Sequence, residues 1–245
     1  VRVALISDMH ANAVALDAVL AELERDRVDE IVSLGDVAQG GAQPAQVVDR
    51  LRELGCRCVF GNSDEFLLTL DPGAEELDED QLRRVLAVGR WSREQLGPER
   101  LEFLGTFEPT VEVGLEGGRK LVCCHASPSS NEEIVVPQTP REHVRALIGD
   151  ADAVAGGHVH RQWLDRFGRR SWIGVGSVGL AFDYEERAGE PVFLPYAEYA
   201  VAGVSRGVVD VEFRRVPYDV AAVLGSIRDS GMPEAEHFAA QWQTT

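Results

Sequence analysis

Along the first third of the chain, short runs of β-branched and apolar residues alternate with longer stretches in which apolar positions recur every three or four residues. VRVALIS (1–7) reads as a first strand. Asn12 is placed to cap a helix whose Leu16, Val19, Leu20 and Leu23 form one stripe, and EIVSL (30–34) reads as a second strand. Pro44 opens a second helix lined by Val47, Val48, Leu51 and Leu54, Gly55 closes it, and CRCVF (56–60) follows as a third strand. Strand, helix, strand in this order predicts an α/β protein with parallel pairing in its first sheet.

Residues 64–108 then read as helices, broken at Gly97 and Pro98, and look like an insertion. Beyond them PTVEVGL and RKLVCC are strands joined across Gly117 and Gly118, Thr139 with Pro140 caps a helix running to Ile148, and ADAVAGG is a strand. WLDRF and RSWIGVGSV around Gly168, and YAVAGV and VVDVEFRRV around the Ser205–Gly207 turn, are further strands; a helix from Asp219 to Ser230 and a short helix with a loose tail end the chain. The segment from Leu180 to Tyr196 is rich in aromatic and acidic residues and too long for a hairpin turn, which suggests a lid or a contact with a second copy in a homo-oligomer. With no internal repeat or linker, residues 1–245 are expected to form a single domain with two sheets.

Composition narrows the function. Apolar residues at 44% and charged residues at 27% suit a globular protein with an ordinary core. The net charge of −17, from 24 basic and 41 acidic residues, argues against a nucleic-acid polymer as partner. No apolar run reaches membrane-span length and no segment reads as a signal peptide, so a cytoplasmic location without a membrane partner is expected. Cys56, Cys58, Cys123 and Cys124 fall in strands; Cys123 and Cys124 point to opposite faces, so they read as small buried residues in a reducing compartment rather than ligands of one metal.

Five polar clusters each follow directly on an expected strand, where α/β sheets place ligands. They are Asp8 with His10 (SDMH), Asp36 (GDV), Asn62 with Asp64 (GNSDE), His125 (CCHAS), and His158 with His160 (GGHVH). Taken singly, Asp8 is a helix cap, Asp36 and Asn62 are turn residues, and His125 is a buried histidine. A cap needs no imidazole two residues on, however, and alternate histidines after two glycines have little packing purpose. One shared site accounts for all five clusters through the affinity of carboxylate, amide oxygen and imidazole for divalent metals. His143, His237 and Arg161 read as ordinary surface or helix residues and stay outside this site.

The ordered set D-x-H, G-D, G-N-x-D, H, G-H-x-H resembles that of the calcineurin-like metallophosphoesterases, and GSVG near Gly176 and FRRVPYDV near Phe213 resemble a bacterial branch of small metal-dependent phosphodiesterases. The resemblance implies a four-layer αββα sandwich of two mixed β-sheets flanked by helices. It implies two divalent ions, manganese first and iron, zinc, cobalt or nickel as alternatives, one held by Asp8, His10, Asp36 and His160 and the other by Asp36, Asn62, His125 and His158. Asp36 would bridge ions about 4 Å apart, whose shared hydroxide attacks a small phosphate ester in line. Asp36, Asn62 and Asp64 are the catalytic candidates, Asp64 as a carboxylate that orients groups around the metals or as a cap of the following helix.

Many members carry a histidine between Asn62 and Asp64, and here that position is Ser63. A serine hydroxyl is a poor acid near neutral pH, which points toward phosphodiesters or esters with acidic leaving groups. A non-catalytic metal-binding scaffold, as a retromer subunit similar to this family is, and a nucleotide-polyphosphate hydrolase are the competing functions.

Overall fold

In a computed structural model of the chain, residues 1–72, 77–187 and 190–242 are described. β1 (Val3–Ile6) leads to α1 (Ala13–Leu23), where the Asn12 side chain accepts the Ala15 N–H at 3.0 Å, and β2 (Glu30–Ser33) pairs parallel to β1. α2 (Pro44–Leu54) starts on a proline, where no N–H is needed, and ends at Gly55, whose φ of 59° turns the chain out of the helix. β3 is shorter than expected. Arg57–Cys58 pair with β2 and the Val59 N–H still binds the Ser33 carbonyl at 2.7 Å, while Val59 also bridges to Glu108 and the Phe60 N–H binds the Glu108 carbonyl at 2.8 Å.

The expected helical block is α3 (Asn62–Thr69) and α4 (Glu79–Leu104), the second kinked at Gly97 (φ 64°, ψ 176°) just ahead of Pro98. The GNSD cluster therefore forms the first turn of a helix rather than the loop before one. β4 (Thr110–Leu115), β5 (Arg119–Cys124), α5 (Arg141–Ile148), β6 (Ala153–Gly156), β7 (Gln162–Phe167) and β8 (Arg170–Val175) build the second sheet and its covering helix. Thr139 does not cap α5; its hydroxyl accepts the Val136 N–H at 2.9 Å, and Pro140 stands at the cap without a side-chain bond.

Within 180–196, β9 (Phe182–Arg187) and β10 (Glu190–Phe193) pair as an antiparallel ribbon, strands that the sequence did not mark. β11 (Tyr196–Ser205) and β12 (Val208–Pro217) return to the first sheet, and α6 (Val220–Asp229) and α7 (Ala235–Ala239) follow. Strand order is β12-β11-β1-β2-β3 in one sheet and β4-β5-β6-β8-β7 in the other, each mixing parallel and antiparallel pairs.

Alternation along the strands makes the layers. Val3 and Leu5 join Leu121, Cys123, Ala153 and Ile173 in the core between the sheets. Ala4 and Ile6, on the other face of β1, pack under Leu16, Val19, Val47 and Leu51 of the helices. Cys124, Val154 and Trp172 meet Val144 and Ile148 of α5 on the far side. The result is an αββα sandwich of two mixed sheets with helices on both outer faces. All four cysteines are free thiols, with Cys123 and Cys124 on opposite faces of β5. Among the described residues no helix is long and apolar enough to cross a membrane.

Candidate metal centre

The five polar clusters follow the carboxyl ends of β1, β2, β3, β5 and β6 and meet where the two sheets face each other. Backbone bonds zip the loops together: the Asp8 N–H binds the Gly35 carbonyl at 3.0 Å, His10 that of Asp36 at 3.0 Å, and Ala11 that of Val37 at 2.9 Å. The geometry is strained. Asp8 (φ 55°), His10 (45°), Asp36 (56°), His158 (65°) and His160 (51°) all lie in the left-handed region that costs a side-chain-bearing residue about 1 kcal/mol or more. Two motif glycines allow the close approach. A Cβ on Gly61 would fall 2.2 Å from Asp36 Oδ1, and one on Gly157 would fall 1.9 Å from Ser7 Oγ and 2.5 Å from Asp8 Oδ2.

Seven of the side chains singled out in the sequence converge. Asp8 Oδ1 is 3.4 Å from His160 Nε2 and 4.0 Å from His10 Nε2. Asp36 divides its oxygens, with Oδ2 3.6 Å from His10 Nε2 and Oδ1 3.3 Å from His125 Nε2. Asn62 Oδ1 lies 2.9 Å from His125 Nε2 and 3.1 Å from His158 Nδ1. Ligand atoms of Asp8, His10 and His160, and of Asp8, Asp36 and His125, come within 4.8 Å of one another, two groups with Asp36 standing between the His10 side and the His125 side.

Hydrogen bonds behind the rings show what this cluster suits. Nδ1 of His10, His125 and His160 lies 2.8, 2.7 and 2.8 Å from the carbonyl oxygens of Gln39, Leu34 and Leu180. A carbonyl only accepts, so each Nδ1 carries a proton, and each ring in its neutral, metal-ligating form turns an Nε2 lone pair inward. Lone pairs then face lone pairs: His10 Nε2 is 3.1 Å from His160 Nε2, and the fully buried Asp8 Oδ1 has no hydrogen-bond partner. Acceptors packed against acceptors in a buried site need positive charge between them. Divalent cations fit this donor set of carboxylate, amide and imidazole.

Protonation reports the same demand. Burial pushes His125 down, but the Asp36 and Asp8 carboxylates outweigh it and carry its pKa up to about 10. Burial favours neutral Asp36, yet His125 and its hydrogen bonds, with His10 and Ser63, hold the carboxyl well below its usual range.

Two neighbours support the Asp36 loop. Ser63 donates both its N–H and its hydroxyl to Asp36, at 2.8 Å to Oδ1 and 2.8 Å to Oδ2. The hydroxyl that replaces the missing histidine is thus spent on the carboxylate between the two groups. Asp64 accepts from Asp36 N at 2.9 Å, Val37 N at 2.9 Å and Gly61 N at 3.0 Å and is fully buried. It caps α3 and holds the Asp36 loop at once. Neither oxygen is left to meet a substrate, so its place is that of a positioning residue rather than a catalytic one.

A cavity of about 670 Å³ opens onto His10, Asp36, Asn62, His158 and His160. Its far walls come from α4, the β9–β10 ribbon and α7 and include Arg84 and His237. His237, an ordinary surface or helix residue by its sequence, thus lines the same cavity as the cluster.

A nested pair of sheets ending in an Asp/His cluster defines a metallophosphoesterase fold. The chain belongs to the calcineurin-like phosphoesterase superfamily, whose domain profile matches residues 1–192. The Methanocaldococcus jannaschii protein MJ0912 is 28% identical over 250 residues, covering 95% of this chain and 94% of its own length. The crystal structure of a metallophosphoesterase from Sphaerobacter thermophilus superposes with a TM-score of 0.72 at 28% identity, over 98% of each chain. Hypothetical protein PH1004 from Pyrococcus horikoshii OT3 shares the fold, with a TM-score of 0.78 at 18% identity over 98% of this chain and 96% of that one.

Proposed function

We propose that the chain hydrolyses phosphate esters with two divalent cations, one held by Asp8, His10, Asp36 and His160 and the other by Asp36, Asn62, His125 and His158. The observation that carries this reading is the convergence of buried metal-ligating atoms, with the Nδ1 protons of His10, His125 and His160 turned outward to backbone carbonyls. Bound divalent ions of the manganese type supply an activated water and neutralise charge on the phosphoryl oxygens. The protein's own part is geometric and electrostatic. Asp36, clamped by Ser63, presents one oxygen toward each histidine group, while the carbonyls of Gln39, Leu34 and Leu180 fix three rings so that little reorganisation remains for the reaction.

Ser63 also shapes the substrate range. Its hydroxyl already donates to Asp36 and is no acid near neutral pH, so leaving groups must depart with little proton assistance. Aryl phosphodiesters and phosphoanhydrides meet this condition and simple alkyl esters do not. The test strips the protein with a chelator, restores manganese, and compares bis(4-nitrophenyl) phosphate with dialkyl phosphates. Manganese-dependent cleavage of the aryl diester and slow cleavage of the alkyl ones are expected. Equal rates on both contradict the leaving-group argument, and metal binding without any hydrolysis points to a scaffold.

A further inference from the structure

From the Asp/His cluster a series of rings runs along one wall of the 670 Å³ cavity. The Phe182 ring lies 5.4 Å from the His160 imidazole, Phe182 is the register partner of Phe193 across the ribbon, and the Phe193 ring is 5.8 Å from that of Phe238. His237 adjoins Phe238 on α7, and its Nε2 is 3.5 Å from Nη1 of Arg84 on α4. The wall thus combines imidazoles, phenyl rings and the Arg84–His237 pair.

Arg84 is incompletely matched. Its Nε is buried without a hydrogen-bond partner, and its ion pair with Glu234, which also lines the cavity and is shared with Arg83, is long, with Oε2 3.9 Å from Nε and beyond hydrogen-bond reach. A guanidinium in that state gains from an additional planar acceptor, and the phenyl rings beside it gain from a flat apolar group. We infer that this cavity holds the organic group of the phosphate ester, and that the group it fits is an aromatic ring bearing an anionic substituent, carboxylate or second phosphate, at the end remote from the reacting phosphorus. Arg84 and His237 read that substituent, and Phe182, Phe193 and Phe238 flank the ring. The inference rests on the phosphoesterase reading of the cluster.

The test uses manganese-loaded protein and diesters with one common leaving group, 4-nitrophenol, and a retained group that is methyl, phenyl, 4-carboxyphenyl or 4-phosphonophenyl. The subsite predicts kcat/KM about tenfold higher for phenyl than for methyl, and about tenfold more for whichever anionic ring is preferred, with the gain in KM. In R84Q and H237Q the ratio of anionic ring to plain phenyl drops toward one. Equal kcat/KM for methyl and phenyl, or an unchanged ratio in both variants, overturns the inference. A second readout needs no turnover: calorimetric binding of 4-carboxyphenyl phosphate and methyl phosphate to the same manganese-loaded protein. If no diester is cleaved, the catalytic reading fails while tighter binding of the aryl ester, lost in R84Q, still sustains the subsite; equal binding of the two esters overturns it.

Discussion

The two ends of the cavity are built in opposite ways. At the Asp/His end the side chains other than Asn62, which opens α3, sit on loops directly after strands, five of them in strained left-handed conformations and tied loop to loop by backbone hydrogen bonds. At the far end the lining side chains come from α4, a ribbon and α7, and the ribbon meets the segment after α7 through one backbone bond, Phe193 N–H to the Gln241 carbonyl at 2.8 Å, and ring contacts such as the T-shaped pair of Phe193 and Trp242 at 4.7 Å. Strain of about 1 kcal/mol or more per residue persists only where the surroundings over-determine it, so the first end is rigid by construction. The far end can change its side chains without disturbing the sheets. Chemistry is thereby fixed by backbone geometry, and selectivity is left to the packing of distant elements.

Substitutions at the two ends should differ in kind. The largest effect is expected for D36N, which removes the charge shared by the two histidine groups: hydrolysis of an aryl diester with manganese should drop on the order of 10³-fold. A loss under tenfold would mean that Asp36 does not stand between two cations. Next comes G157A. With Ser7 Oγ 1.9 Å and Asp8 Oδ2 2.5 Å from the added methyl, it should cost about 3 kcal/mol by denaturant unfolding, whereas a value near zero would show that the loops yield.

S63A removes one of two donors to Asp36 and should weaken manganese binding roughly tenfold, with S63T restoring much of it. If S63A and wild type titrate alike, the clamp is incidental. In the metal-free chain His125 is raised to about 10, so near neutral pH it holds a proton that a ligand imidazole must lose. Metal affinity should therefore rise with pH toward 10 and fall on acidification, with at least one proton released per chain when calorimetry is repeated in buffers of different ionisation enthalpy. Manganese uptake without proton release contradicts this. The smallest effect belongs to the far end: R84Q should shift unfolding stability by under about 0.5 kcal/mol and leave manganese affinity alone, which separates it from every change at the cluster.

What could be read from the sequence follows the same division. Motif residues lie close to one another in the chain and close to a strand end, so SDMH, GD, GNSD and GHVH announced themselves, as did the two-residue alternation of Val3, Ala4, Leu5 and Ile6 that sets the layers. Ser63 was visible as a departure from the family pattern, but its bonds to Asp36 span 27 residues and depend on β2 and β3 lying side by side. Asp64 offered two readings; it caps α3 and, because the Asp36 loop lies over the first turn of that helix, also holds this loop. Arg84 and His237 are 153 positions apart, and no periodicity links them. The paired strands within 180–196 were obscured by aromatic and acidic residues where a turn signal was sought.

Anomalous diffraction from crystals soaked in manganese tests the central claim most directly. The account predicts two peaks within one cage, one bounded by Asp8, His10 and His160, the other by Asn62, His125 and His158, with Asp36 touching both. A single peak away from Asp36, or no peak at the cluster at saturating manganese, would contradict it.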